Sequence, residues 1–383
     1  MSMELDAQAW WTQARADRPV FSFEGDIGGE NWFVHRYADA ERILRDAERF
    51  SSRVNADTMG PVMGTMLVAM DGTEHRHYRD LVARAFRASA LERWEHELIR
   101  PSIDRLLDAI APDGQADLVA ELTARFPAQV IAGVLGVPVE DHDRFHEWAA
   151  AINLGPTDYD RSIPASEALT AYLKPIVEAR RAHPADDLIS DIVTAEIDGT
   201  RLDDDHVYGF LRLLLPAGAE TTYRLFGNCL AALLTHPDAF TRVLGDRSLI
   251  PVVIEETLRW ESSVAMVNRE ATCPVEVAGT TIPAGASVVI VTSSANRDEE
   301  RYGASGEWDI ERPPAPHLAF GTGRHQCLGM HLARLELRVG LNAVLDRLPD
   351  LHLDPGFPPP VITGFAFRSP EELHVQFTPT PAG

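Results

Sequence analysis

A ten-residue segment near the carboxyl end combines glycines, a histidine and a cysteine in an order suited to holding a flat ligand through sulfur. Residues 320–329 read Phe-Gly-Thr-Gly-Arg-His-Gln-Cys-Leu-Gly. Gly321 and Gly323 permit backbone conformations closed to other residues, so the chain can approach a planar group closely. Cys327 directly precedes a predicted helix, whose dipole and free amide groups favour a thiolate. An isolated cysteine would usually be a structural core residue, but the whole pattern favours a metal-binding thiolate.

A second segment places an acid and two hydroxyl groups inside the longest predicted helix. Residues 217–222 read Ala-Gly-Ala-Glu-Thr-Thr. A threonine there can hydrogen-bond to a carbonyl one turn earlier and open the helix locally, and the neighbouring Glu220 could pass protons through the gap. Such a motif usually lies on a solvated helix face. The apolar residues on both sides of it, at 213–215 and 225–226, predict burial instead.

These two segments resemble those of the cytochrome P-450 family, whose haem loop has the form Phe-Gly-x-Gly-x-His-x-Cys-x-Gly. Every fixed position matches. The resemblance implies haem b (iron protoporphyrin IX) as cofactor and Cys327 as its proximal iron ligand, a thiolate that favours O–O cleavage. It also implies that Glu220 and Thr221 form the oxygen-activating acid–alcohol pair on the distal side of the haem. Cys229 and Cys273 lack such surroundings and are predicted to be core residues.

Groups that could hold the haem propionates are spread along the chain, since carboxylates need Arg and His donors. His75 and Arg79 match the start of the family's propionate-binding helix. Arg269 matches the arginine before the family's hairpin, and His325 matches the histidine of the cysteine loop. As isolated residues these would more often be surface charges, so the four assignments depend on the resemblance. His317 is a further candidate.

Glu256 and Arg259 lie three residues apart on one face of a predicted helix, 71 residues before Cys327. On a surface such a pair is worth only a few tenths of a kcal/mol. The family has its Glu-x-x-Arg helix at this place, and the resemblance gives the pair a structural role behind the haem. Three positions depart from the family's pattern: Pro216 before the oxygen-activating segment, Ser263 where many relatives have proline, and Glu299 after Asn-Arg-Asp.

The elements that must position these groups are mostly helical. The longest helix is predicted to begin at Asp203 as N-cap and to run to Thr235, roughly 48 Å at 1.5 Å per residue. Pro216 inside it predicts a kink, and a final helix is predicted to start near Leu328. The resemblance implies the cytochrome P-450 fold, mainly α with a minor β-sheet region. In it, haem lies between the long kinked central helix and the C-terminal Cys-loop helix, and residues 1–383 form one domain.

Alternating apolar residues and turn signals predict the minor sheet region. Short strands are predicted at Val20–Phe23, Trp32–His35, Val275–Val277, Thr281–Ile282 and Ser287–Val291. Residues 55–70, rich in Gly and Met, are predicted to form an apolar loop, either mobile around the ligand or facing the core. The substrate pocket is expected from four apolar stretches: Leu211–Ala217, Ala265–Val267, Ile362–Phe367 and this Met-rich loop.

Composition restricts the possible partners. A formal charge of −23 over 383 residues argues against nucleic acid and against an anionic membrane surface. Three cysteines cannot form a disulfide framework and suggest a reducing compartment. The first twenty residues contain no apolar segment of the secretory kind. The expected location is the cytoplasm.

The activity implied by the resemblance is insertion of one oxygen atom from O₂ into a small hydrophobic substrate. The sequence contains no Cys cluster and no Gly-x-Gly-x-x-Gly, so electrons from NAD(P)H are expected through a separate ferredoxin and ferredoxin reductase. Two alternatives stay open: a peroxide-driven peroxygenase or isomerase on the same scaffold, and a non-enzymatic haem gas sensor or carrier.

A cluster of arginines is expected around the cysteine loop despite the negative total charge. We hypothesise that the ferredoxin docks on it, because local potential steers an encounter. The alternative is that these arginines are solvated or pair with neighbours such as Asp80 and Glu336. The arginines concerned are Arg76, Arg84, Arg87, Arg324, Arg334 and Arg338.

Overall fold

Helices make up 59% of the protein in the computed structural model, which describes residues 7–25, 29–83, 86–197 and 199–381. The α-helices are α1 (Ala7–Asp17), α2 (Tyr37–Arg45), α3 (Val54–Met63), α4 (Gly72–Ala83), α5 (Ala88–Trp94), α6 (Arg100–Ile110), α7 (Phe126–Val134), α8 (His142–Asn153), α9 (Tyr159–Ala182), α10 (Leu188–Thr194), α11 (Asp204–Thr235), α12 (Pro237–Gly245), α13 (Ile250–Trp260), α14 (Thr292–Ala295), α15 (Glu299–Tyr302) and α16 (Met330–Arg347). Short 3₁₀ turns cover Leu67–Ala69, Val139–Asp141, Gly155–Thr157, Arg247–Leu249 and Gly323–His325. Single π-helical turns cover Glu95–Ile99 and Val119–Thr123.

Small sheets complete the fold. The strands are β1 (Val20–Gly25), β2 (Gly29–Val34), β3 (Phe50–Ser51), β4 (Gln115–Asp117), β5 (Glu196–Ile197), β6 (Thr200–Arg201), β7 (Val267–Ala271), β8 (Val275–Val277), β9 (Thr280–Ile282), β10 (Ser287–Ile290), β11 (His352–Leu353), β12 (Ile362–Thr363), β13 (Ser369–Pro370) and β14 (His374–Gln376). The largest sheet has the order β1-β2-β10-β7-β3, with β1 and β2 antiparallel and β10 parallel to β2. The predicted pairing of the first two strands is therefore confirmed.

The long helix α11 has the predicted bounds. Asp203 caps it, because its carboxylate accepts a hydrogen bond from the backbone N–H of His206. The helix continues through Pro216 and ends at Thr235. Most of its residues are buried, and it packs against α7, α8, α13 and α16. An apolar helix of this length can therefore form one wall of a central site.

The Met-rich segment is more regular than a loop. Residues Val54–Met63 form α3, and a 3₁₀ turn follows. Met63, Met66 and Met70 are buried in the main hydrophobic core. The prediction of a loop was wrong for residues 55–63, because packing of the end of α3 into the core, where Val62 and Met63 are buried, outweighs the weak helix propensity of glycine and proline. Of the two alternatives, a segment that is mobile around the ligand and one that faces the core, the second agrees with the burial of these methionines.

The final helix α16 begins at Met330, two residues later than expected, with Gly329 as its N-cap. Cys327 thus lies just before the helix, where amide groups lack partners inside it. Among the described residues, no helix combines the length and apolar character needed to cross a membrane.

Candidate functional site

The cysteine loop has the tight backbone geometry that its glycines allow. The amide of Cys327 donates to the carbonyl of Phe320 at 2.9 Å, which closes the loop. Gly321 and Gly323 have φ values of +64° and +75°. A Cβ on Gly323 would lie 2.7 Å from the carbonyl oxygen of Leu44. Only glycine fits there, because both the left-handed conformation and the close approach exclude a side chain.

A cavity of about 370 Å³ lies between α11 and this loop, within the range of roughly 300–1,000 Å³ that is common for small-molecule sites. Cys327 is one of its lining residues. The thiol of Cys327 is exposed because its accessible surface opens into the cavity. On its other sides it is surrounded by protein. The apolar residues above it include Leu67, Val68, Phe86, Ile131, Phe210, Leu213, Leu214, Val264 and Val267.

The electrostatic setting of Cys327 has opposing parts. Burial raises the pKa of its thiol, while the amide of Gly329 and the guanidinium groups of Arg79 and Arg334 lower it. Coordination to a metal requires the thiolate, and a bound cation would favour that form further. The other two cysteines are elsewhere: Cys229 is fully buried and Cys273 is partly buried in a smaller core cluster.

The four expected propionate donors all line this cavity. The rings of His75 and His325 lie 4.0 Å apart between centroids. Arg79 donates from Nη2 to the carbonyl of Gln326 at 2.6 Å. Burial, followed by the proximity of His75 and Arg269, lowers the pKa of His325 to about 3. The structure thus brings together residues that are up to 250 positions apart in the sequence.

This donor set fits a group that carries carboxylates. Arg269 is buried, and burial lowers its pKa to about 10. No described carboxylate forms an ion pair with it. The charge of Asp71 acts on it from a distance, and that carboxylate is engaged by Ser51 and the Ser52 amide and lies 3.8 Å from Nε2 of His325. The Nε2 atom of His75 is also buried without a partner. Buried cations and orphaned donors are costly unless an anion completes them, and haem propionates would do so.

Thr221 and Glu220 take different places. The Thr221 side chain lines the cavity and donates to the carbonyl of Ala217 at 2.8 Å, the backbone contact foreseen from the sequence. Glu220 is buried but does not line the cavity. Its Oε2 atom accepts from Arg224 at 2.7 Å and from Asn153 at 3.3 Å. The acid and the alcohol are therefore neighbours in sequence whose side chains have separate partners.

Other predicted residues lie outside the cavity. His317 contacts Glu255, with 3.1 Å between Nε2 and Oε2, and does not line the cavity. Of the Met-rich segment 55–70, Leu67 and Val68 line the cavity but none of the four methionines does, and no residue of 362–367 lines it. Phe365 packs instead against Trp10 and Trp11.

Two residues, one that lines the cavity and one outside it, were not identified from the sequence. Arg312 contacts Glu256, at 3.2 Å between Nε and Oε1, and so adds a second cation to the Glu256–Arg259 pair. Glu336 was named only as a surface neighbour of arginines, which was wrong: its side chain is 3% exposed and lines the cavity. Glu336 lies on the apolar face of α16 with Leu332. A single acidic residue on an apolar helix face is a sequence signal from which its burial could have been predicted.

The sequence model of the family described as Cytochrome P450 matches residues 142–371. The chain belongs to the cytochrome P450 family. It is 36% identical to the cytochrome P450 monooxygenase PikC of Streptomyces venezuelae, over 94% of this chain and 89% of that protein. The predicted family, fold class and enzyme class are confirmed. This P450 is an oxidoreductase of the monooxygenase type, and its cofactor is haem iron.

Solved structures agree with this P450 along nearly its whole length. A cytochrome P450 from Chondromyces apiculatus, CYP109Q5, has a TM-score of 0.91 and 33% identity, with 99% of this chain and 97% of that chain covered. CYP109E1 from Bacillus megaterium, in complex with testosterone, has a TM-score of 0.88 and 33% identity, with 97% and 99% covered.

Proposed function

We propose that this P450 inserts one oxygen atom from O₂ into a small hydrophobic substrate, with haem b held by Cys327. The observation that carries the proposal is the Cys327 thiol at the wall of a cavity that is otherwise mostly apolar. Haem iron, when bound, supplies the activation of O₂. The residues of this chain bind the cofactor, exclude water and deliver protons.

The cavity residues divide these tasks. Cys327 would coordinate the iron, and the cavity-facing donors His75, Arg79, Arg269 and His325 would hold the propionates. The hydroxyl of Thr221, with Glu220 one residue earlier in the helix, would pass protons into the cavity. These groups lie on α4, β7, α11 and the cysteine loop, so the fold itself sets the distances between them.

The substrate is proposed to be hydrophobic because of the residues that line the cavity together with Thr221. Phe86, Ile131, Phe210 and Leu214 present apolar surface there, and burying such surface stabilises a ligand by roughly 25 cal/mol per Å². The Bacillus megaterium relative is described in complex with testosterone, which is a mostly apolar molecule. Screening hydrophobic compounds for a shift of the haem spectrum would identify the substrate.

We further propose that a ferredoxin and its reductase supply the electrons, in the cytoplasm, and that residues 1–383 act as one domain. The sequence lacks the cysteine cluster of an iron–sulfur centre and the glycine fingerprint of a dinucleotide site. The described cysteines are all unpaired, as in a reducing compartment. Neither nucleic acid nor a membrane is a proposed partner, given the charge of −23.

The test is the spectrum of the reduced protein with carbon monoxide. We expect the red-shifted Soret band of a thiolate-ligated haem, and we expect Cys327→His to lose it. Cys229→Ser and Cys273→Ser are the matched controls and should keep the band. An unchanged band in Cys327→His would refute the proposed ligand and with it the function.

Turnover then separates the enzyme classes. Product formed with ferredoxin, reductase, NAD(P)H and O₂ supports a monooxygenase. Product formed only with hydrogen peroxide would indicate a peroxygenase, and product without any oxidant would indicate an isomerase. A haem protein that binds gas but converts none of the compounds that shift its spectrum would indicate a sensor or carrier.

A further inference from the structure

Two hydroxyl groups of the cavity wall lie outside the residues assigned to the cofactor and to proton delivery. Ser263 is 8% exposed and lines the cavity, and its hydroxyl forms no hydrogen bond with any residue that the structure describes. Thr292 also lines the cavity, and its hydroxyl donates to the carbonyl of Val264 at 3.3 Å. Because Val264 directly follows Ser263, both hydroxyls belong to the same part of the wall. Ser263 can donate or accept a further hydrogen bond, and Thr292 can accept one.

Ser263 lies beside the turn of α11 that carries the acid–alcohol pair. The amide of Arg368 donates to the carbonyl of Ser263 at 3.0 Å, so the chain at Ser263 runs alongside the chain around Phe367. The guanidinium of Arg224 lies 5.2 Å from the centre of the Phe367 ring. Arg224 is one turn after Glu220 on α11. The serine is therefore on this flank of the helix.

Two other hydroxyls that line the cavity, those of Thr222 and Thr322, lie nearer to the final helix and the cysteine loop. Thr322 is part of that loop. Thr222 shares its flank of α11 with Phe226, and Phe226 contacts α16, since a Cβ on Gly340 would lie 2.8 Å from its Cζ atom. Residues two positions apart in a helix differ by about 200° around its axis, so this flank is almost opposite to that of Arg224. The serine thus belongs to the wall away from the proposed iron ligand.

The charges around this wall favour a neutral oxygen rather than an anion. Among the residues that the structure describes, the arginines that line the cavity are Arg79 and Arg269, which are the proposed propionate donors. Arg224 and Arg368 are each paired with a glutamate, at 2.7 and 2.8 Å. A carboxylate bound beside Ser263 would lack a free cation, which is costly away from water. An alcohol or a ketone needs only hydrogen bonds.

We propose that Ser263, together with Thr292, binds an alcohol or ketone oxygen on an otherwise hydrophobic substrate. The inference rests on the proposed monooxygenase function and deepens it by naming the substrate class. The Ser263 hydroxyl donates to the substrate oxygen, and an alcohol donates in turn to the Thr292 oxygen. A hydrocarbon in the same place leaves the Ser263 hydroxyl without a partner, which costs binding free energy. Proline, which many members of the family have at this position, carries no hydroxyl, so the preference distinguishes this chain from them.

The test is equilibrium binding to the haem-loaded protein, followed by the shift of the haem spectrum. The probes are two matched sets: cyclododecanol, cyclododecanone and cyclododecane, and 2-decalol, 2-decalone and decalin. Ser263→Ala should weaken the binding of each alcohol and ketone by roughly three- to ten-fold, the effect of one hydrogen bond. The affinity for the two hydrocarbons should stay the same or rise slightly, because alanine removes a hydroxyl that they leave unpaired.

Three further variants separate a hydrogen bond from a change of packing. Ser263→Thr keeps the hydroxyl and should retain most of the affinity for alcohols and ketones. Thr292→Val should weaken the binding of the alcohols but not of the ketones, which have no proton to donate. Ser262→Ala is the matched control, because the hydroxyl of Ser262 donates to the carbonyl of Leu258 at 2.7 Å and does not line the cavity. It should leave all six affinities unchanged.

The proposal is overturned if Ser263→Ala changes the affinity for alcohols, ketones and hydrocarbons by the same factor, or if no probe binds. It is also overturned if cyclododecanecarboxylate is the probe that this variant weakens most, because the wall would then bind anions. The carbon monoxide band serves as the check on the proposed function itself. If every variant shows that band, a failed binding test counts against Ser263 alone. If the wild type lacks the band, the failure belongs to the proposed function.

Discussion

Thr221 has an arrangement in which one hydroxyl serves both the helix and the cavity. Its Oγ1 atom donates to the carbonyl of Ala217 at 2.8 Å, and its side chain lines the cavity. A threonine in this bond accepts from another donor through its remaining lone pairs. By contrast, the Glu220 carboxylate is paired with Arg224, so this ion pair would have to break before Glu220 could take up a proton and transfer it. Thr221 can therefore accept a hydrogen bond from the cavity side without rearrangement, whereas passing its own proton on would break the bond to Ala217.

Thr221→Ala should keep haem and substrate binding but waste electrons. We expect product per NAD(P)H to fall and hydrogen peroxide to rise, because the proton path loses its hydroxyl. The stability cost should be small, about 1 kcal/mol or less, since alanine is the better helix former. Thr221→Ser retains the hydroxyl and is the control. If Thr221→Ala and Glu220→Gln both couple like the wild type, the protons arrive by another route.

At the scale of elements, α13 is joined to the segments after it by a buried charge network. Arg259 makes two bonds of 2.7 Å to Glu256. It also donates to the carbonyls of Asn296, Ser305 and Glu307. The side chains of the pair are 3% and 6% exposed. The surface estimate of a few tenths of a kcal/mol does not apply here, because removal of one partner leaves the other charge buried.

Arg259→Met should therefore destabilise the protein by roughly 3–5 kcal/mol. The measurement is urea unfolding of the haem-loaded protein, followed by tryptophan fluorescence. Arg45→Met is the matched control, because Arg45 is 64% exposed in its pair with Glu41 and should cost at most ~1 kcal/mol. Equal free energies of unfolding for the two variants would rule out a structural role for the network.

These elements also show how far the sequence predicts the structure. The bounds of α11 and the shape of the cysteine loop are local properties, set by the Asp203 cap and by glycines, and both could be predicted. The partnership of Arg312 with Glu256 could not, because 56 residues separate them and only tertiary packing brings them together. The burial of Glu336 was missed although a lone acid on the apolar face of α16 is a local signal, because only the packed structure shows that this face meets the cavity.

At the scale of the whole molecule, the negative total charge contrasts with exposed arginines near the cysteine loop. Arg324 lies in the loop and is exposed. Arg76 is exposed on α4, next to His75, whose ring is 4.0 Å from that of His325. Two other arginines of the hypothesised docking cluster are already paired: Arg334 with Glu255 and Arg338 with Glu95. Arg84 lies outside the described residues.

Arginines of this cluster that form no ion pair test ferredoxin docking more directly than the paired ones do. Arg76, Arg87 and Arg324 are exposed and form no ion pair with any described residue, so their charge acts outward over a Debye length of ~10 Å. Arg76 and Arg324 lie nearest the cysteine loop in the fold or within it and are the two chosen for the test. An acidic ferredoxin that docks there should transfer electrons at a rate that falls steeply with ionic strength.

The double variant Arg76→Glu and Arg324→Glu should be slower at low salt and nearly flat against salt. The rate of haem reduction by ferredoxin is the quantity to measure. Arg161→Glu, exposed on α9, introduces the same kind of charge reversal away from the loop and should behave like the wild type. Identical salt profiles for the wild type and the double variant would place the ferredoxin on another face.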